Sequence, residues 1–254
     1  MRIKGNTILI TGGGSGIGRA LAEAFHALGN QVVIAGRRSD LLDDTVAANP
    51  GMKAAVLDIR SADAILRFAV QLTADFPALN TVIHNAGIMR PESLQSGLLA
   101  DAEETVVTNL LGPMRLTAAL LPFLQAQSRA TIMTVSSGLA FLARASTPTY
   151  CATKAAIHSY TQSLRYQLKD TSIEVLELIP PYVQTELMGL KQASDPNAMP
   201  LKDFIAETMR ILTNSPDMTE ICVERVKPLR FAEAKGTYDA LFKKYNDATG
   251  VTAK

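Results

Sequence analysis

A tyrosine and a lysine stand four positions apart in the stretch TPTYCATKAA, residues 147–156. On a helix such a pair shares a face, with Cβ atoms about 5–6 Å apart. An ammonium that close to a phenol favours the phenolate. Lys154 is therefore expected to lower the pKa of Tyr150 from its usual ~10 and make it a usable acid–base group. The plainer reading is an ordinary surface pair, since perturbed pKa values are the exception. The rest of the chain must choose between the two.

A second stretch able to do chemistry is TGGGSGIG, residues 11–18, between the apolar NTILIT and the helical GIGRALAEAFHALG. Glycines permit positive φ and let the backbone approach phosphate groups at a helix N-terminus. The literal GxGxxG fingerprint is absent. The glycines fall at Gly12, Gly16 and Gly18, with Gly13 and Gly14 added. A Walker loop is excluded, because Arg19-Ala20 follows where Lys-Ser/Thr is required. Five glycines within seven residues exceed the needs of a tight turn, and in a strand–turn–helix context they point to dinucleotide binding.

These motifs need elements to hold them. The pattern runs strand NTILIT, helix 16–29, strand QVVIAG, helix 39–49 capped by Ser39 or Asp40, strand KAAVLDI and a helix capped by Ser61. It continues with strand NTVIHNAG, a long helix from about 101 to 124 with a kink or step at Gly112-Pro113, strand ATIMTVSSG, helix 149–169 and strand SIEVLELIPP. The strands are continuously apolar rather than alternating, as in a parallel sheet covered on both faces. The expectation is an α/β fold, a single-domain doubly wound parallel sheet of the Rossmann type spanning residues 1–254. Residues 184–218 read as helical pieces of a substrate loop. The C-terminal segment 219–254 reads as a strand near 220–227 followed by helix.

Composition narrows the classes. With 47% hydrophobic and 19% charged residues, 254 positions suit one large domain. A formal net charge of +1 offers no bulk attraction for nucleic acid or a membrane surface. No run of ~18 apolar residues is seen, so no spanning segment is expected. The N-terminus reads as a first strand, not a signal peptide. Cys151 and Cys222 form no disulfide framework, and His26, His84 and His158 are scattered, so no metal site is expected. A cytoplasmic location is the default.

Further pieces fall in order: Asp58 ending the third strand, NAG at 85–87, Asn109 in the long helix, SSG at 136–138 and YCATK at 150–154. Together with TGGGSGIG they resemble the short-chain dehydrogenase/reductase family, classical type, over residues 6 to about 186. The resemblance implies an oxidoreductase in which Tyr150 is the acid–base and Ser137 hydrogen-bonds the substrate oxygen, with Ser136 ranked second. It also implies that Lys154 binds the nicotinamide ribose, and that Asn109 holds a water linking Lys154 to solvent. Gly12, Gly14, Ser15, Gly16, Ile17 and Gly18 would form the phosphate loop. Asp58 would contact the adenine, beside Ile59. Asn85, Ala86 and Gly87 would lie along the adenosine side, and Thr185 beside Val183 would meet the carboxamide. Plainer roles exist: Asp58 as a helix cap, Asn109 as a solvent-facing residue, Ser137 as a turn former.

Two departures stand out. Pro180-Pro181 replaces the family's frequent Pro-Gly and stiffens the loop that follows. The C-terminal ERVKPLRFAEAKGTYDALFKKYN replaces the usual glycine-rich end, and is similar to a bacterial oxidoreductase subgroup, the DltE-like group.

Strand two ends QVVIAGRRSD. A carboxylate just past this strand would accept the ribose hydroxyls of NAD. Here Gly36, Arg37 and Arg38 follow instead. A guanidinium matches a phosphate bidentately, so NADP(H) is expected over NAD, with Arg37 on the 2′-phosphate and Arg38 or Ser15 assisting. The flanks GLAFLARA (138–145), Ile88-Met89, Tyr182 and Leu187–Leu190 are mostly apolar and suggest a moderately apolar carbonyl or alcohol substrate. Arg90 and Arg144 are read as facing solvent, contact with an anionic group being the lesser alternative. A non-catalytic dinucleotide sensor or partner-binding protein on the same fold is the competing reading. Intact Ser137, Tyr150 and Lys154 argue against it, and no GxSxG elbow suggests a hydrolase. The helices near 101–124 and 149–169 carry apolar positions on more than one face, which predicts a homodimer or homotetramer.

Overall fold

Seven short apolar runs form one wholly parallel sheet in the order β3-β2-β1-β4-β5-β6-β7. The computed structural model describes residues 1–215 and 217–247. The strands are β1 (Thr7–Thr11), β2 (Gln31–Gly36), β3 (Lys53–Val56), β4 (Leu79–His84), β5 (Ala130–Val135), β6 (Ile173–Ile179) and β7 (Glu220–Cys222). The helices joining them are α1 (Gly16–Ala27), α2 (Ser39–Ala48), α3 (Ala62–Asp75), α4 (Ala100–Val106), α5 (Gly112–Gln125) and α6 (Pro148–Gln167). After β6 come α7 (Leu190–Ala193), α8 (Leu201–Asn214), α9 (Lys227–Arg230) and α10 (Tyr238–Asp247). The order reverses between β1 and β4, and the crevice outside the carboxyl ends at that switch is where such sheets take ligands.

Both faces of the sheet are buried. Ile8, Ile10 and Ile34 pack with Leu21 and Phe25 of α1 and Phe204 of α8 on one face. Leu9 and Val33 pack with Ile65 of α3, Leu116 and Leu120 of α5 and Leu164 of α6 on the other. Fully burying such a side chain stabilises by roughly 1.5–3 kcal/mol, so this layered packing, not helix propensity, holds α1, α5 and α6 in place.

Several expectations are refined. Strand β3 stops at Val56, so Leu57, Asp58 and Ile59 lie in the following turn. Helix α2 begins at Ser39, flanked by Arg38, and has no side-chain cap, so neither Ser39 nor Asp40 serves as one. Ser61 does cap α3, accepting from the Ala64 amide at 3.2 Å. The irregularity in the long helix is not a kink at Pro113. It is a π-helical turn, Val107–Leu111, with Pro113 in the first turn of α5, where its missing N–H costs nothing. The run Ala100–Gln125 is by length and composition apolar enough to cross a membrane, with hydropathy 1.3 in its most apolar window, 39% of it buried. A search for an uninterrupted apolar run misses it because Asn109 and Arg115 break the run. Its sheet side carries core residues Leu116, Leu120 and Leu124. Of the C-terminal segment predicted from 219, residues 248–254 lie outside the described residues.

Candidate active site

Helix α6 carries Tyr150 and Lys154 one turn apart near its N-terminus, and both are buried, at 6% and 5% exposure. The Lys154 ammonium donates to the carbonyl of Val135, the last residue of β5, at 2.7 Å. Its Nζ sits 5.6 Å from the Tyr150 ring centroid. Strand β5 then turns through Ser136 and Ser137. Ser137 Oγ accepts from the Leu139 amide at 3.1 Å, and its hydroxyl lies close enough to Tyr150 to favour the phenolate. Ser136 is also buried, and its hydroxyl has no partner among the described residues.

The electrostatics differ from expectation. Burial pushes the Tyr150 phenol up to about 12, with the neighbouring Ser137 hydroxyl opposing it. Burial draws the Lys154 ammonium down to about 8, with Glu177 opposing. The predicted lowering of Tyr150 by Lys154 is thus overturned. Desolvation of both groups outweighs their mutual effect, and the ammonium is engaged by a carbonyl rather than by the phenol oxygen.

Asn109 lies in the π turn, almost fully buried. It accepts from the Ile88 amide at 2.8 Å and donates to the Ile88 carbonyl at 2.9 Å and Thr153 Oγ1 at 3.3 Å. It flanks Gly87, where a Cβ would meet Asn109 Oδ1 at 3.3 Å and Lys154 Nζ at 3.8 Å. The solvent-facing reading of Asn109 is therefore excluded.

The glycine loop runs from β1 into α1. Gly12 has φ +69°, and a Cβ there would meet Asn85 Nδ2 at 2.9 Å. At Gly18 a Cβ would stand 2.3 Å from both the Gly12 carbonyl oxygen and Asn85 Nδ2. Gly18 thus serves the close approach of helix to loop and does not line the cavity. Asn85 ties the loop down, donating to the carbonyls of Thr11 at 3.0 Å and Gly12 at 3.3 Å. Ser15, at the N-terminus of α1, makes no capping bond with its side chain. The hydroxyl instead accepts from Arg38 at 2.9 Å. Arg37 Nη1 lies 3.6 Å from Glu104, a carboxylate held more closely by Arg60 at 2.8 Å and Arg90 at 2.5 Å. Arg90 also pairs with Asp101 at 2.6 Å. Asp58 is turned aside. Arg60 forks onto its carboxylate, at 2.7 Å at the closest, and holds it below the usual carboxylate range. Its neighbours Leu57 and Ile59 line the cavity, and Asp58 does not.

After β6 the chain passes Pro180-Pro181 and folds over the site. Gln192 of α7 donates to the Val183 carbonyl at 2.9 Å and to Thr185 Oγ1 at 3.1 Å. Thr185 faces the loop, 3.5 Å from where a Cβ on Gly16 would stand.

Two cavities meet here. One, of about 520 Å³, extends from Gly12–Ile17 and Arg37-Arg38 past Asn85, Ala86 and Gly87 to Tyr150, Lys154, Val183 and Thr185. The other, of about 370 Å³, opens beyond Ser137 and Tyr150 toward Tyr182, Leu229 and Tyr245. Ser137 and Tyr150 line both, as do Met89 and Pro181. Thr108 and Gln192 are lining residues of the larger cavity that no motif singled out. Only their position beside Asn109 and the post-β6 loop signals them.

The histidines sit apart. His84 is buried 2.9 Å from Thr117 Oγ1, and burial pulls it down to about 4. His158, Glu177 and Glu220 bring ligand-type atoms within 4.8 Å of one another, a grouping that sequence spacing does not reveal. His158 bonds Glu177 at 2.8 Å, while Arg230 takes Glu220 at 2.8 and 3.0 Å.

A family model described as short chain dehydrogenase matches residues 6–195. The oxidoreductase DltE of Bacillus subtilis is 38% identical over 256 residues, spanning 97% of this chain and 98% of that protein. Among solved structures, a short chain dehydrogenase of Burkholderia cenocepacia in complex with NADP aligns at TM-score 0.81 and 22% identity, covering 100% of both chains. One from Burkholderia phymatum in complex with NAD aligns at TM-score 0.83 and 20% identity, also over 100% of both.

Proposed function

The chain belongs to the short-chain dehydrogenase family and is an oxidoreductase, and from that premise we propose that it is an NADP(H)-dependent carbonyl reductase with Tyr150 as its general acid. One observation carries this reading: the buried Tyr150, with Ser137 beside it, lines both a dinucleotide-sized cavity and a second, smaller one that meets it. A non-catalytic sensor needs the first cavity and has no use for an acid at its junction with another.

The residues present fit a dinucleotide. The α1 N-terminus keeps amides that its flanking Ser15 does not cap, and glycines keep side chains out of the loop. Ser15, Gly16 and Ile17 would hold the phosphates, Ala86 and Gly87 the adenosine side, Lys154 the ribose and Thr185 the far end. A bound nicotinamide would supply the hydride. The protein's part is the proton and the charge. A phenol raised to about 12 keeps its proton across the neutral range, the state needed to protonate an oxygen that gains negative charge. Ser137 is placed to donate to the same oxygen. Lys154, drawn to about 8, can pass a proton toward the phenol, and Asn109 fixes the backbone at Ile88 beside it.

Arg37 and Arg38 support NADP(H). No carboxylate stands at the end of β2 to accept ribose hydroxyls, and Arg37 has only a distant hold on Glu104. An NADPH- and NADH-oxidation screen over aldehydes, ketones, quinones and diketones tests the activity. NADPH is expected to exceed NADH by about 10- to 10³-fold in kcat/KM, and Arg37→Ala to erase most of that preference. Equal use of both cofactors, or a preference that survives Arg37→Ala, contradicts the assignment.

The assembly proposed is a homodimer through the outer faces of α4, α5 and α6. Its support is the exposed Ala118 and Ala155 and the half-buried Leu110 and Leu111. Light scattering at micromolar concentration that finds a monomer refutes it.

A further inference from the structure

The smaller cavity contains a cation that the sequence reading turned toward solvent. Arg144 lines it, half-buried, and its Nε is fully enclosed with no hydrogen-bond partner. Among the described residues its guanidinium makes no ion pair, whereas Arg90, Arg37 and Arg60 are all drawn to Glu104. A buried donor without an acceptor is costly and is rarely left so without a function.

The backbone around Arg144 is fixed from both sides. Its amide donates to Cys151 Sγ at 3.2 Å, and its carbonyl accepts from the Thr147 amide at 3.1 Å. Asn246 of α10 accepts from the Ala145 amide at 2.6 Å and donates to the Ala143 carbonyl at 3.1 Å. The same two bonds seat α10 at the rim, where Lys244 and Tyr245 join the lining. The one carboxylate of the lining among the described residues, Asp195, is already in use. It accepts from Tyr182 Oη at 3.1 Å and the Asn197 amide at 2.8 Å. Two cations thus face one engaged acid, against apolar walls of Met89, Leu139, Leu187 and Leu229.

Resting on the reductase reading, we propose that this cavity is an anion subsite. The substrate is then a carbonyl compound with an apolar body and a carboxylate, the carboxylate held by Arg144 with Lys244 at the mouth. A guanidinium and a carboxylate pair through charge-assisted bonds, the strong class. The apolar walls exclude water that would compete for them.

The test is calorimetric titration of the full chain, saturated with NADP⁺ and separately with NAD⁺, with benzoate and its neutral isostere benzamide. Benzoate is expected to bind at least ~10-fold more tightly than benzamide, to weaken at least ~10-fold in Arg144→Ala, and to recover in part in Arg144→Lys. Benzoate binding no tighter than benzamide, or unaffected in Arg144→Ala, overturns the subsite. NADPH oxidation with 4-carboxybenzaldehyde and benzaldehyde separates the two claims. A kcat/KM ratio of at least ~10 that falls toward one in Arg144→Ala supports both. Equal rates sink the subsite and leave the reductase reading standing. No turnover of either aldehyde, with Arg144-dependent benzoate binding, sinks the reductase reading and leaves the subsite.

Discussion

Replacing Lys154 with methionine is expected to make the cofactor-free protein more stable at neutral pH. The lysine is buried, and burial draws its ammonium from 10.5 to about 8. At about 1.4 kcal/mol per pH unit, that gap withholds about 3 kcal/mol of stability at pH 7. Methionine has a similar length and no charge to desolvate. The substitution also strips the Val135 carbonyl of its 2.7 Å donor, which costs about 1 kcal/mol. Lys154→Met should therefore be more stable by about 2 kcal/mol at pH 7. The advantage reverses with pH. Between about 8 and 10.5 the unfolded wild type still holds a proton that the folded chain has released, so wild-type stability rises relative to the variant through that window. Above it only the lost hydrogen bond remains, and the variant is less stable by about 1 kcal/mol. Urea unfolding of both proteins at several pH values, read as a difference so that other titrating groups cancel, checks this. A variant less stable at pH 7, or a difference that does not change between pH 7 and 10.5, refutes the claim that burial sets the lysine's pKa.

Gly18→Ala would place a methyl 2.3 Å from the Gly12 carbonyl, and backbone there must move. We expect a loss of about 1–3 kcal/mol and at least ~10-fold weaker NADPH binding by fluorescence titration, and unchanged affinity would refute the packing role. His158→Ala removes the 2.8 Å hydrogen-bond partner of Glu177, a fully buried carboxylate already without a partner at Oε1. Urea unfolding should show a loss of about 1–3 kcal/mol, and unchanged stability would contradict the pairing.

The layered α/β architecture was legible because it rests on local signals. Continuously apolar strands, helical stripes and a glycine loop after β1 each report on their own neighbourhood. Tyr150, Lys154, Ser137 and the loop glycines were legible for the same reason, and the structure brings Tyr150, Lys154, Ser137, Gly12, Gly14 and Gly16 to one crevice while Gly18 packs the helix onto the loop. What escaped depends on burial, on the path of a turn, or on contacts distant in sequence. The Tyr150 shift has the opposite sign to that read from its spacing to Lys154, because helix spacing carries no information about desolvation. Asp58 is captured by Arg60, two residues on, only because the turn after β3 brings the fork round. Arg144 reads from sequence as facing solvent, with an anionic contact as the lesser alternative, since nothing in GLAFLARA shows that α10 folds back more than a hundred residues later to wall the cavity.

The central claim is that the Tyr150 hydroxyl supplies the proton. Its most direct test is single-turnover reduction of a carbonyl substrate by NADPH-saturated Tyr150→Phe, which removes one oxygen and retains the ring. The account predicts chemistry slowed by at least ~10²-fold with NADPH affinity retained, and a rate like that of the wild type would contradict it.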